Sequence, residues 1–359
     1  MTNWEGDADL AGLAMRILGR PHKIAAVAAV TPTGTSIAMR GAKPDADFEI
    51  GSIAKGITGL LYTEALADGL VDENTVLGDL LPFDENVPAA SISLRAIAVH
   101  RSGLPGLPSA MKPWRRTAKW LFSGANPYGH TLDEMLEHTR SVQLLSDRPR
   151  YSNLGFQLLG HAVAAARGCD YRRLLEERFT KPLGLATFFV PFTDEELLPT
   201  SLLGHSLRGR TQRPWVGEAF APCGGIRATI GSMRDVTAAL VDGSVPGVEA
   251  LDPVERFTGG MRIGAGWITS RHNGRQITWH NGATGGFCSW LGLDREAGTG
   301  LVVLTAKFRP VNQPALRLLA EISLCAPRCK RQRRSRDQRR RDHAHDPVHP
   351  RGHTIHIDQ

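Results

Sequence analysis

The sequence predicts an α+β fold: an antiparallel sheet flanked by N- and C-terminal helices, carrying a large, mostly helical insertion. Three observations predict it. Two apolar segments at 23–30 and 35–40 straddle the turn residues Thr31-Pro-Thr-Gly34 and lead into a helical run at 53–68. From there to about residue 224, apolar residues recur mainly at helical spacing. Beyond it the texture returns to short strand-like segments at 265–270, 275–279, 286–293 and 301–305, closed by an amphipathic helix at 314–324. These patterns make residues 1–324 one domain, with a sheet lobe at about 1–60 and 225–324 and a helical lobe at about 61–224. A tail of different composition occupies 325–359.

Taken in order, Leu10, Leu13, Ala14 and Ile17 fall at i, i+3, i+4 and i+7, predicting a helix over 7–19 that ends at Gly19. The hairpin at 23–40 follows. Residues 45–50 read as irregular and deliver Ser52 to the helix at 53–68, which stops at Gly69. Segments 77–82 and 91–100 are short, and His100-Arg-Ser-Gly-Leu-Pro105 is a loop with a rigid turn. Trp114, Trp120 and Phe122 are expected to pack between helices rather than to line a pocket. Leu154, Leu158, Leu159 and Val163 predict a helix over 151–167, and another is expected at 171–183. Cys223-Gly-Gly-Ile226 reads as a turn or tight strand, and Ser232 as the cap of a helix at 232–241. Asn273-Gly274 between apolar runs is a hairpin signal.

Composition excludes several classes. Hydrophobic residues at 42% and charged residues at 22% are ordinary for a globular protein. The net charge of +7 suggests an acidic partner until it is located: residues 325–359 hold ten Lys or Arg against four Asp or Glu, so most of it sits in the tail. Nucleic-acid binding by the domain is therefore not expected. The five cysteines, Cys169, Cys223, Cys288, Cys325 and Cys329, have an odd count and no framework spacing, which points to reduced thiols. Without an apolar run long enough for a bilayer or a recognisable leader, a cytoplasmic location with no membrane partner is expected. In the tail, Cys325, Cys329, His343 and His349 approach zinc-finger spacing. The segment lacks the aromatic or leucine that a small metal-bound core needs, so a disordered basic tail is expected. The abrupt change of composition there also fits an out-of-frame end.

Chemistry gathers at Phe48-Glu-Ile-Gly-Ser-Ile-Ala-Lys55. Ser52 and Lys55 stand three apart at the head of an apolar helix, hence on one face. A serine hydroxyl needs a neighbouring base to become a nucleophile, and a lysine one turn on can serve. Alone, such a pair is most often incidental. Two further motifs follow in order, Tyr151-Ser-Asn153 and His280-Asn-Gly282 with Ala283-Thr-Gly-Gly286. Together they resemble the serine β-lactamase and penicillin-binding protein superfamily. The variant resembles its class C branch, with D,D-peptidases and related esterases. The loop His100 to Pro105, Tyr151 to Gly160 and Lys181-Pro-Leu-Gly-Leu185 share that branch's texture, and the resemblance spans about 20–324.

The resemblance implies a β-lactamase/transpeptidase-like fold and a serine hydrolase without metal or organic cofactor, acting on a small acyl substrate. Ser52 would form the acyl-enzyme. Tyr151 would take its proton in a phenolate-like state stabilised by Lys55, the choice of operative base staying open. Asn153 would contact the substrate's amide oxygen or orient Lys55. The backbone N–H groups of Ser52 and Ala283 would form the oxyanion hole, and His280, Asn281 and Gly282 the substrate wall. Many relatives carry Lys-Thr-Gly where this chain has His-Asn-Gly. A histidine near its reference pKa of about 6.5 need not be charged, and Asn281 lacks a hydroxyl to bind a carboxylate. That weakens the case for β-lactams and D-alanyl peptides, which carry that anion, while the family resemblance favours the β-lactamase label, so β-lactams, short acyl esters and D-amino-acid peptides all stay open. A non-catalytic penicillin-recognising sensor is the reading from another class. Arg227 is expected at the solvated surface, His100 and His161 as structural residues, and Cys223 and Cys288 as buried small residues.

Overall fold

A computed structural model describes residues 3–19, 21–106, 126–127, 131–146 and 148–325. In chain order it contains β1 (Trp4–Gly6), α1 (Ala8–Leu18), β2 (Ala25–Thr31), β3 (Gly34–Arg40), β4 (Asp47–Glu49), α2 (Ile53–Ala67) and α3 (Leu94–Ala98). Then come α4 (Leu132–Arg140), α5 (Asn153–Ala166), α6 (Tyr171–Leu175), β5 (Phe188–Phe189), α7 (Ala221–Gly224), β6 (Arg227–Thr229) and α8 (Ile230–Asp242). The chain closes with β7 (Glu255–Arg256), β8 (Arg262–Ile263), β9 (Ile268–His272), β10 (Arg275–Ala283), β11 (Cys288–Asp294), β12 (Thr299–Thr305) and α9 (Asn312–Cys325).

The main sheet is antiparallel throughout, in the order β1-β3-β2-β12-β11-β10-β9-β8-β7. It joins the two chain ends as the sequence predicts, because β2 pairs with β12 from Ala25↔Thr305 to Val30↔Gly300. Period-two alternation divides β2 between two cores. Val27 and Ala29 face the cluster built by Leu10, Ala14, Leu318 and Leu319 of α1 and α9. Ala26 and Ala28 face the larger core shared with α2, α5 and α8. The hairpin at Asn273-Gly274 has φ 48° and 80°, the paired positive values of a type I′ turn.

Several elements differ from the sequence reading. The helix expected from Ser232 starts at Ile230 and is capped by Thr229, whose hydroxyl accepts from the Ser232 N–H at 3.2 Å. The expected helix at 171–183 breaks into α6 and a wide π turn at Glu176–Thr180. Of the two readings for Cys223, turn or tight strand, it is a helical turn, α7, that holds it. The strand expected at 275–279 runs on to Ala283 and so carries His280 to Ala283 on regular structure. Residues 47–49, read as irregular, form β4 in a second sheet ordered β4-β6-β5. Arg227 of β6 is buried rather than solvated: it pairs with Asp47 and, at 3.2 Å, with Glu49. Nothing local to Arg227 reveals these carboxylates, which come from the adjacent strand by long-range pairing.

Trp114, Trp120, Phe122 and the tail beyond Cys325 lie outside the described residues. Among the described residues no helix is long and apolar enough to cross a membrane.

Candidate active site

Ser52 sits at the N-cap position of α2, but its side chain makes no capping bond, so the hydroxyl is not used up by the helix end. One turn on, Lys55 is fully buried because α2 is packed on nearly every face. Its Nζ donates to Ser52 Oγ at 3.1 Å and to the Cys223 carbonyl at 2.7 Å. That carbonyl is held in place through its neighbour: Thr58 Oγ1 donates to the Pro222 carbonyl at 2.6 Å and hydrogen-bonds the Tyr171 hydroxyl at 2.8 Å. Burial lowers the Lys55 pKa to about 8. A buried ammonium loses its hydration, and one carbonyl acceptor does not restore it.

Tyr151 closes the other side. Lys55 Nζ lies over its ring, 4.9 Å from the ring centre. Although 37% of the residue is exposed, its hydroxyl end lies inward. Burial pushes the phenol well above its ordinary value, against a hydrogen bond with Ser52 that acts the other way. Burial thus favours the neutral phenol, whereas the resemblance implies a phenolate-like state for Tyr151. Asn153 is the first residue of α5, two positions on, after Ser152 caps that helix.

The wall opposite is β10. The β9 ladder stops at Trp279↔Ile268, so His280 to Ala283 pair only with β11 among the described strands. Gly51 has φ +53°, and a Cβ there would lie 2.7 Å from the Ala283 nitrogen. The peptide preceding Ser52 is thus pressed against that N–H. A Cβ at Gly282 would meet the Ile50 carbonyl at 2.1 Å, and Ser289 Oγ donates to the same carbonyl at 2.6 Å. The backbone at Gly51, next to Ser52, so lies against that of Ala283, and glycine at 51 and 282 permits the approach.

His280 is buried, with its ring centre 6.2 Å from that of Tyr151. Its Nδ1 donates to the Asn281 carbonyl at 2.7 Å, which leaves Nε2 as a buried lone pair without a hydrogen-bond partner among the described residues. Burial, then the charge of Lys55, lowers its pKa to about 3, so the imidazole is neutral. Asn281 pairs with Trp290, which belongs to the α1/α9 core. Strand alternation therefore sets it on the face opposite His280 and Gly282, away from the place expected for it.

Sequence reasoning missed two contributors. The Cys223 carbonyl carries no signal, since a backbone acceptor can belong to any residue. His100, read as structural, packs against the Tyr151 ring at 4.7 Å with the planes tilted; its loop at 100–105, between the Ser52 and Tyr151 motifs, was the available clue. His161, Cys223 and Cys288 are buried as expected.

Comparison with known proteins places this geometry. Residues 13–324 match the family model described as Beta-lactamase. The chain is 29% identical over 196 residues to the D-alanyl-D-alanine-carboxypeptidase/endopeptidase AmpH of Escherichia coli, covering 52% of this chain and 45% of that protein. It is 23% identical over 318 residues to a beta-lactamase-like protein of Arthroderma benhamiae, covering 79% and 52%. The chain thus spans about half the length of the curated relatives it matches. A class C beta lactamase from Rhodobacter sphaeroides superposes with a TM-score of 0.73 at 18% identity, over 89% of this chain and 100% of that one. A D-alanine carboxypeptidase AmpC from Burkholderia cenocepacia does so at 0.72 and 17%, over 87% and 99%.

Proposed function

The chain belongs to the Beta-lactamase family, and from that premise we propose that it is a serine hydrolase forming an acyl-enzyme on Ser52, with an uncharged ester or small amide as substrate. The observation that carries this reading is the buried Lys55 amine at 3.1 Å from Ser52 Oγ with its pKa lowered to about 8. A lysine so placed spends an appreciable fraction of its time neutral near physiological pH and can accept the serine proton as Oγ attacks the carbonyl. The tetrahedral oxyanion would be held by the N–H groups of Ser52 and Ala283. A donor of this kind typically contributes about 2.7–4 kcal/mol to the transition state. On collapse, Lys55, through the neutral Tyr151 hydroxyl, returns the proton to the leaving oxygen or nitrogen. A water then hydrolyses the acyl-serine by the same path in reverse. Asn153 stands at the edge of the cleft as a contact for the substrate's carbonyl.

The substrate class follows from charge. The wall contributes a neutral His280, Lys55 is turned inward to Ser52 and Cys223, and Arg227 is committed to Asp47 and Glu49. None of these offers a fixed cation to a substrate carboxylate. The test incubates the protein and Ser52→Ala with p-nitrophenyl acetate, nitrocefin and a D-alanyl-D-alanine peptide. Ester hydrolysis lost in Ser52→Ala, with an acyl adduct on Ser52 by mass spectrometry, is expected. Faster turnover of nitrocefin or the peptide than of the ester would transfer the substrate assignment to β-lactams or D-amino-acid peptides. A stable penicilloyl adduct without turnover would make the protein a sensor.

A further inference from the structure

We propose that His100 is a positioning residue that sets the pose of Tyr151. The proposal rests on the reading of Ser52, Lys55 and Tyr151 as the acylation site. Tyr151 lies just before α5, in a stretch with no helical or sheet ladder of its own. Something else has to hold its phenol within reach of Ser52. Besides its contacts with Ser52, Lys55 and His280, three holding contacts come from one residue. The His100 carbonyl accepts from the Arg150 N–H at 2.8 Å, and His100 Nδ1 accepts from the Ser152 N–H at 3.3 Å. Between those two bonds, the imidazole packs against the Tyr151 ring in a tilted pair, centres 4.7 Å and planes 39° apart. Tyr151 is therefore held through the N–H groups of both neighbouring residues and on its ring by a single residue.

His100 is itself held firmly. It is 2% exposed and packs on Phe156 at 4.8 Å and Phe257 at 5.9 Å. Its φ is 58°, a left-handed conformation that a non-glycine residue keeps only where its surroundings impose it. Those surroundings are the rest of its loop: the Leu145 N–H donates to the Gly103 carbonyl at 2.8 Å, and Ser152 Oγ donates to the Pro105 carbonyl at 2.7 Å. The grip also needs a neutral ring, because a protonated Nδ1 would oppose the Ser152 N–H donor to donor. Burial, then the charge of Lys55, keeps the pKa of His100 well below its ordinary value. With Nδ1 accepting, the proton sits on Nε2, which has no partner among the described residues. The tautomer is fixed by the bond to Ser152 and not by any contact of Nε2.

A core histidine with no role in positioning would also be buried and stacked, so the test separates the two by coupling. His100→Ala removes ring and acceptor. His100→Asn keeps an acceptor near the place of Nδ1 and tolerates left-handed backbone. Each is made in wild-type and in Tyr151→Phe protein, and kcat and KM for p-nitrophenyl acetate are measured with thermal melting alongside. In the wild-type background His100→Ala is expected to lower kcat on the order of 100-fold, the effect of a misplacement of about 1 Å, with KM changed far less. His100→Asn is expected to recover part of the loss. In Tyr151→Phe the same His100 changes should have little further effect, because what they position is already gone. An equal loss in both backgrounds, or a wild-type kcat in both His100 variants while Ser52→Ala and Tyr151→Phe are inactive, overturns the positioning role alone. A wild-type rate in Ser52→Ala overturns the acylation-site reading instead. If His100→Ala does not fold, the His100→Asn arm of the same cycle decides.

Discussion

The pH dependence of acylation is the most direct consequence of the site's burial. Three titratable side chains surround the Ser52 hydroxyl, and only one changes charge in the working range. His280 is lowered to about 3 and Tyr151 is raised above its ordinary value, so both stay neutral between pH 5 and 10. Lys55, lowered to about 8, does not. With the neutral amine as the base, its fraction is about one in a hundred at pH 6, about a tenth at pH 7 and about nine-tenths at pH 9. The sign is fixed by the cation: acylation rises as the proton leaves, about tenfold per pH unit below 8, and flattens above it. The assay is stopped-flow measurement of the p-nitrophenolate burst from p-nitrophenyl acetate between pH 5.5 and 9.5, with Ser52→Ala subtracted. A single ascending limb near pH 8 is expected. An inflection near 6.5 would mean a histidine is the base, and a rate that falls as pH rises through 8 would mean the ammonium form is the one that works. Either outcome refutes the assignment of Lys55.

Other perturbations read different parts of the arrangement. Arg227→Met leaves Asp47 and Glu49 buried without their cation, and urea unfolding should show a loss of about 3–5 kcal/mol. Gly51→Ala forces a side chain onto the Ala283 N–H at a left-handed φ. A drop in kcat on the order of 10²-fold with KM nearly unchanged is expected, the loss of one oxyanion donor. A wild-type kcat there would remove Ala283 from the proposed oxyanion site. Thr58→Val strips the bonds to the Pro222 carbonyl and the Tyr171 hydroxyl. It should cost about 1–3 kcal/mol in thermal or chemical denaturation, and by loosening the Cys223 carbonyl it should move the acylation pKa away from about 8.

Much of the fold was legible because its signals are local. The hairpin at 31–34, the Asn273-Gly274 turn, the helix behind Ser52 and the closing helix each follow from a few neighbouring residues, and the pairing of β2 with β12 follows from gathering the two strand-rich ends. The short sheet of β4, β6 and β5 was not legible, since strands of two or three residues carry too little alternation to register.

The same division runs through the site. Residue identity and helical spacing alone determined that Ser52 and Lys55 share a face, because i and i+3 meet whatever surrounds the helix. Only the tertiary structure decided what that pair can do. The Lys55 pKa falls to about 8 because the core covers the amine, and the Cys223 carbonyl, 168 residues away, only partly offsets that burial. His280 is neutral for the same cause, Arg227 is spent on carboxylates about 180 residues upstream, and Tyr151 is set by His100. Desolvation and long-range hydrogen bonding depend on which distant segments cover a group, and local sequence pattern carries no record of that cover.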